Sequence, residues 1–318
     1  ANAALAQAKD AGVKDEILGQ LKLRLGAHPD KQISNTQDPP QEQLEPLFQH
    51  YNNGNFEQPL ELATKLIQKF PKSAVLYNII GAANASLEKY DEALEAYQKA
   101  LSINSNLPEP YNNMGNAFKA QGRFDDAIEA YEKAIDINPN YAEAYNKIGN
   151  IYKDKGMLNN ALKAYENAIK ISPNHSKILN NIGITFKAQG KLKEAVRSFN
   201  KAITIEPNYA EAFNNLGNAL EYQGNFKEAM TAYKTAIKIK PDFTEPWLNC
   251  ADAIERRNKL QELEVWIQKA FENFDTIPPD IQFFKAKLLW RKKNNEEVLK
   301  LISTIDFQTI SEFLQNLK

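Results

Sequence analysis

Cysteine is almost absent, and that shortage removes several chemistries at once. Cys250 stands alone among 318 residues, so no internal disulfide forms and no thiolate cluster can hold a metal. Histidine is nearly as scarce: His28 and His175 fall in turn-forming stretches near prolines, and no pair among these two and His50 has the spacing of metal ligands. An excess of charge of either sign is missing too, with 39 Lys and Arg against 40 Asp and Glu. A chain that neutralises phosphates carries a basic surplus, so nucleic acid is not an expected partner. No run of 18 apolar residues occurs, and membrane insertion is not expected either. The stretch 1–26 lacks the basic, apolar and small-residue order of a secretory leader. With the single cysteine, this makes a cytoplasmic location the expectation. Phosphate-cradling glycine loops and the G-x-S-x-G nucleophile turn are absent. No catalytic residue, metal or cofactor is therefore expected. Acidic pairs such as Asp125–Asp126 sit where a helix would begin, a place where negative charge favours the helix dipole.

What the chain has instead is self-similarity. Gly81, Gly115, Gly149, Gly183 and Gly217 are each 34 residues apart. The same step links Ala93, Ala127, Ala161, Ala195 and Ala229, and separately Ala100, Ala134, Ala168, Ala202, Ala236 and Ala270. Pro139, Pro173, Pro207 and Pro241 keep it as well. A period of 34 residues is that of a helix–turn–helix unit. Small residues at fixed places let two helices approach closely, and aromatic residues fill the space around that contact. Gly122, Gly156, Gly190 and Gly224 stand where the first helix ends, a place that often demands positive φ; Asn258 takes that place in the last copy. Proline closes the second helix.

These residues resemble the tetratricopeptide family. With position 1 at Ala74, Pro108, Ala142, Ser176, Ala210 and Thr244, position 4 is Tyr77, Tyr111, Tyr145, Leu179, Phe213 and Trp247. Position 7 is Ile80, Met114, Ile148, Ile182, Leu216 and Cys250, which makes the cysteine a small core residue rather than a nucleophile. Position 8 is Gly, or Ala251 in the last copy, and position 24 is Tyr97, Tyr131, Tyr165, Phe199 or Tyr233. The resemblance implies an all-α fold, an α-solenoid of antiparallel helix pairs wound into a right-handed superhelix. Residues 1–39 form a degenerate helical unit and short linker, residues 40–277 an array of seven repeats, and residues 278–318 a divergent repeat with a capping helix. In the first copy Leu47 and Pro59 replace the usual Gly and Ala. Ile310, Phe313, Leu314 and Leu317 have the one-sided spacing of a cap over the last apolar face.

The first helix of each repeat has a polar arc at positions 2, 5, 6, 9 and 13, which in the family lines a concave groove. Here it is rich in asparagine. Position 5 is Asn78, Asn112, Asn146, Asn180 and Asn214; position 6 adds Asn113, Asn181, Asn215 and Asn249; position 9 adds Asn116, Asn150 and Asn218. A merely solvated helix would use better helix formers. Two uses are open to such a row. Each amide offers a donor and an acceptor, so the row can pair with the backbone of an extended peptide. Alternatively, the amides bond neighbouring first helices to one another. The first use is similar to the asparagine ladder of O-linked N-acetylglucosamine transferases, although Ile79 and Lys147 interrupt position 6. Position 12 carries Lys119, Lys153 and Lys187, then Glu221 and Glu255; this rim either steers a partner or is simply solvated. The pattern with which chaperone-binding repeats clamp a terminal carboxylate is met only by Asn116 and Lys177, so that ligand is not expected.

The expected function is a non-catalytic scaffold that binds a protein or an extended peptide in the groove, with the groove residues just named. A second expectation belongs to another class. The leader DPPQEQLEPLFQHYNNGNFEQPLELA and the stretch FFKAKLLWRKKNNEEVLKLISTIDF resemble the repeat regions of bacterial sulfotransferase-type proteins. On that reading the chain recruits substrates for a larger bacterial enzyme such as a sulfotransferase, glycosyltransferase or oxygenase. Nothing in the composition speaks to oligomeric state.

Overall fold

The structure is a computed structural model that describes residues 38–292 together with 294 and 297. Residues 1–37 of the leading unit and linker, and the capping residues Ile310–Leu317, lie outside the described residues. Among those described, fifteen helices and no strand are present. The chain divides into two compact units, Ala1–Ile171 and Ser172–Lys318. The first holds four helix pairs: α1 (Gln41–Asn52) with α2 (Glu57–Ile67), α3 (Ala74–Ser86) with α4 (Tyr90–Ile103), α5 (Pro108–Ala120) with α6 (Phe124–Ile137), and α7 (Ala142–Asp154) with α8 (Leu158–Ile171). The second holds three pairs and one further helix: α9 (Ser176–Ala188) with α10 (Leu192–Ile205), α11 (Ala210–Tyr222) with α12 (Phe226–Ile239), α13 (Thr244–Glu255) with α14 (Leu260–Asn273), and α15 (Pro279–Arg291).

Each pair is built on one close approach. A Cβ added to Gly149 would lie 2.5 Å from Cε1 of Tyr165, and the same holds for Gly115 against Tyr131 and Gly217 against Tyr233. The ring at position 24 therefore packs directly against the bare backbone at position 8. Tyr97, Tyr131, Tyr165, Phe199 and Tyr233 are all fully buried there. The divergent copies solve the same volume problem differently. In α1–α2 the bulk sits on the first helix, as Leu47, and the facing residue shrinks to Ala63; both are buried in one cluster. In α13–α14 the pair is Ala251 and Ile267, again in one cluster. The copies that look irregular in sequence thus keep the total volume, which is the kind of exchange a packed core tolerates best.

The turn after each first helix closes in one way. Gly122 has φ +75°, and the Arg123 N–H donates to the Phe118 carbonyl at 2.9 Å, a Schellman-type end. Gly54, Gly156, Gly190 and Gly224 share the left-handed backbone, as does Asn258 at φ +55°. Glu88 occupies the equivalent place after α3 at φ +61°, with Lys89 N–H donating to Asn84 O at 2.9 Å. A side chain there carries the steric cost of the left-handed region, which the regular closure of the α3–α4 turn imposes on it.

Two outcomes follow from this packing. Gly149→Leu should drive a branched side chain into the Tyr165 ring and lower stability by about 1–3 kcal/mol or more, with the loss spreading to adjoining pairs because each repeat depends on its neighbours. An unchanged thermal melt of the full chain would contradict the contact. Glu88→Gly should act the other way and raise stability by about 1 kcal/mol, since it relieves the left-handed strain at an exposed position. Denaturant midpoints of the two proteins check this, and a lower midpoint for Glu88→Gly would count against strain at that turn.

Candidate binding face

The asparagines at position 5 do not line an open groove. Asn78 and Asn112 are each 1% exposed, Asn180 5% and Asn214 7%, while Asn146 is half-buried. Within each unit first helices lie side by side, and position 5 falls in the seam between them. There the amide of one repeat bonds the next. Asn113 Nδ2 donates to Asn78 Oδ1 at 3.1 Å in the first unit. Asn215 Nδ2 donates to Asn180 Oδ1 at 3.0 Å, and Asn249 Nδ2 to Asn214 Oδ1 at 2.8 Å, in the second. Asn180 also bonds the Tyr209 hydroxyl. Burial pushes that hydroxyl up to about 12, with Glu211 and Glu206 adding to the shift and the Asn180 amide opposing it. Of the two uses open to the row, these bonds supply the second for position 5: the side chains stitch helix to helix. This corrects the expectation that Asn78, Asn112, Asn180 and Asn214 face a ligand. Asn113, Asn181, Asn215 and Asn249 at position 6 are half-buried on the rim of the same seam.

Position 9 has a different task, which sequence reading missed. The Tyr131 hydroxyl donates to Asn116 Oδ1 at 2.8 Å, Tyr165 to Asn150 at 2.7 Å, and Tyr233 to Asn218 at 2.8 Å. The ring that fills the glycine contact thus carries its hydroxyl to the far side of the first helix, where asparagine receives it. The signal was available: in α9–α10 the residue at position 9 is Ile184, and its partner at position 24 is Phe199, which has no hydroxyl.

The rim charges divide. Lys119, Lys153 and Lys187 are half-buried. Lys153 pairs with Asp154 at 2.9 Å, and burial lowers the pKa of Lys187. Glu255, expected on the acidic rim, is instead buried and held by Lys287 at 2.9 Å and Arg291 at 3.0 Å, so it fastens α15 to α13. Glu221 stays on the face, receives the Tyr233 hydroxyl at 3.1 Å and pairs with Arg256 at 3.3 Å. Asn218, Glu221, Tyr222, Asn249, Asp252 and Arg256 line a recess of about 440 Å³ on the first-helix face of the second unit. Arg256 also bonds Asp252, and Tyr222 stands 70% exposed at the edge. A second recess, in the first unit, is neutral and lies among α1, α3, α4 and α5.

Cys250 is fully buried, and burial pushes its thiol pKa up, which leaves it a protonated core residue. Among the described residues no group of His, Cys, Asp and Glu could hold a metal ion, and no helix is long and apolar enough to cross a membrane.

One gap in the seam gives a direct test. The equivalent partner of Asn112 is Lys147, which lies 3.9 Å from Glu143 instead, and Asn112 Oδ1 is left buried without a hydrogen bond. Lys147→Asn should close the gap and raise stability by about 1 kcal/mol, since the half-exposed ion pair it removes is worth little. The melting temperature should rise by roughly 2–4 °C. A fall would mean that position 6 does not stitch the repeats.

Comparison with known proteins agrees with this geometry. The sequence pattern of the family described as the cilia and flagella-associated protein 70 C-terminal domain matches residues 2–277. No curated protein sequence matches the chain. The C-terminal part of a TPR repeat-containing protein from Cytophaga hutchinsonii is similar in structure with a TM-score of 0.60 at 20% identity, over 74% of this chain and 95% of that one. A chain of the APC/C hetero-tetramer Cut9–Hcn1 gives 0.58 at 17% identity, over 77% of this chain and 47% of that one. PilF of Pseudomonas aeruginosa gives 0.56 at 16% identity, over 67% and 97%. These likenesses show the all-α helical-repeat fold. With residues 2–277 matched, the chain belongs to the tetratricopeptide-repeat family of the cilia and flagella-associated protein 70 C-terminal domain.

Proposed function

We propose that this chain is a protein-interaction scaffold whose first-helix face holds an extended segment of a partner protein. The observation that carries the reading is the recess of about 440 Å³ on the first-helix face of the second unit, lined by side chains at positions 6, 9, 12 and 13 from α11, from α13 and from Arg256, the residue that ends α13. Those positions are the ones left over once position 5 is used up in the seam. Their groups suit a peptide: Asn249 and Asn218 offer amides, Tyr222 an exposed ring, and Glu221 with Arg256 both signs of charge. Exposed aromatic and arginine side chains beside a polar recess are the usual anchors of a protein interface. The contacts belong to positions 6, 9, 12 and 13, and the rim lysines Lys119, Lys153 and Lys187 act mainly on the approach of the partner.

The test places a photo-reactive benzoylphenylalanine at Tyr222 and, separately, at Val265, which is 58% exposed on the second helix α14. A random nonapeptide display library is selected on the wild-type chain, and the recovered peptides are cross-linked to both proteins. Cross-links should form at Tyr222 and not at Val265. Replacing Lys119, Lys153 and Lys187 with Ala should slow association and flatten its salt dependence while leaving dissociation nearly unchanged. Equal cross-linking at Val265, or no recovered peptide, would sink the reading.

A further inference from the structure

The pair α3–α4 breaks the hydroxyl rule of its neighbours. Three pairs join a tyrosine at position 24 to an asparagine at position 9, and α9–α10 drops both polar groups together. In α3–α4 the asparagine is replaced by Ala82 while Tyr97 is retained. Tyr97 is 1% exposed, and its hydroxyl has no hydrogen-bond partner among the described residues. Burial holds that hydroxyl well above its ordinary pKa, so it remains a protonated donor. The hydroxyl meets an open recess, and a ligand that covered it without a hydrogen bond would leave it unpaired at a cost.

The space that the missing carboxamide would occupy is open. A recess of about 240 Å³ is lined there by Tyr51, Ala82, Ala85, Ser86, Tyr97 and Asn116 among others, none of them charged. Ala85 stands at position 12, where the following pairs carry lysine or glutamate, so no long side chain from position 12 covers the recess. The other polar groups of the wall are largely committed. The Tyr51 hydroxyl and Ser86 Oγ share a hydrogen bond of 2.7 Å, and Asn116 Oδ1 receives the Tyr131 hydroxyl at 2.8 Å. Among the described residues the Tyr97 hydroxyl and the Asn116 amide nitrogen have no partner and can meet a ligand, with Tyr90 and Asn113 also in the wall.

We infer that this recess takes the side-chain carboxamide of a glutamine or asparagine on an extended peptide, in place of the asparagine that the repeat lacks. The inference rests on the peptide-binding reading above. Three arguments select the occupant. A carboxylate or ammonium would lose its water against a wall with no opposite charge. A purely apolar side chain would leave the Tyr97 hydroxyl unpaired. A carboxamide offers an acceptor to Tyr97 through the same atom type that Asn116 offers to Tyr131, and its amino group serves further partners. The volume lies below the roughly 300 Å³ at which whole small-molecule sites begin, which suits a single inserted side chain.

The experiment selects a random nonapeptide display library on the full chain and on two variants, Ala82→Asn and Tyr97→Phe. The wild type should recover peptides with Gln or Asn at one fixed place. Synthetic versions of a recovered peptide with Glu or Leu at that place should bind roughly tenfold or more weakly. Ala82→Asn restores the arrangement of three other pairs, so it should fill the recess and abolish the preference while peptides still bind elsewhere on the face. Tyr97→Phe should abolish the preference as well, and it removes an unpaired hydroxyl, so its melt should match or exceed the wild type. By contrast, Tyr131→Phe breaks a made bond and should melt lower. A preference for another residue class, or an unaltered carboxamide preference in both variants, would overturn the assignment and leave the broader reading standing. Recovery of no peptide from any of the proteins would overturn both.

Discussion

The contact between a bare backbone at position 8 and an aromatic ring at position 24 governs everything else in this protein. With Gly149 under the Tyr165 ring, two helices come close enough that no Cβ fits between them. That approach buries the ring completely and sends its hydroxyl past the first helix. The hydroxyl then decides what position 9 must be. Asparagine stands there in three pairs, Ile184 accompanies Phe199 in a fourth, and Ala82 leaves the Tyr97 hydroxyl unmet in α3–α4. A packing requirement between two helices thus reaches through to the chemistry of the face where a ligand would lie. In the end copies the same volume is redistributed as Leu47 with Ala63 and as Ala251 with Ile267, so the pairs survive without the signature residues.

The asparagine row shows how one residue type serves two masters within a single helix. At position 5 the side chain enters the seam between successive first helices, where burial makes its hydrogen bonds obligatory. The bonds of 2.8–3.1 Å to position 6 of the next repeat answer that requirement. Asn78, Asn112, Asn180 and Asn214, buried there, are out of a peptide's reach. Position 9 differs, because its side-chain oxygen receives the tyrosine hydroxyl of its own repeat. The interruption at Lys147 follows the same logic: a lysine carries donors but reaches Glu143, and the oxygen of Asn112 is orphaned.

Charge on the face is likewise shared between structure and recognition. Glu255 is consumed by Lys287 and Arg291 in holding α15, whereas Glu221 remains at the recess with Arg256. A salt bridge exposed at one partner contributes little to stability, so the Glu221–Arg256 pair is free to be remade around a ligand. The buried Glu255 is not, because breaking it would strand a charge.

Much was legible in the sequence because a period of 34 residues repeats each constraint several times. The helix pairs, the glycine contacts, the left-handed turns and the core place of Cys250 all follow from spacing and residue size, which are properties of the chain itself. Glu88 escaped, since a left-handed glutamate leaves no compositional trace and is imposed by the closure around it. The compensating exchange of Leu47 for Ala63 also escaped, because it joins positions that spacing alone does not pair. Above all, the sequence shows that Asn112 and Asn116 lie on one polar arc, yet only the tertiary structure separates them. Helical periodicity fixes an angle around a single helix. Whether that angle meets solvent or the next helix depends on how neighbouring repeats pack, and that packing draws position 5 into the seam and leaves position 9 at the face.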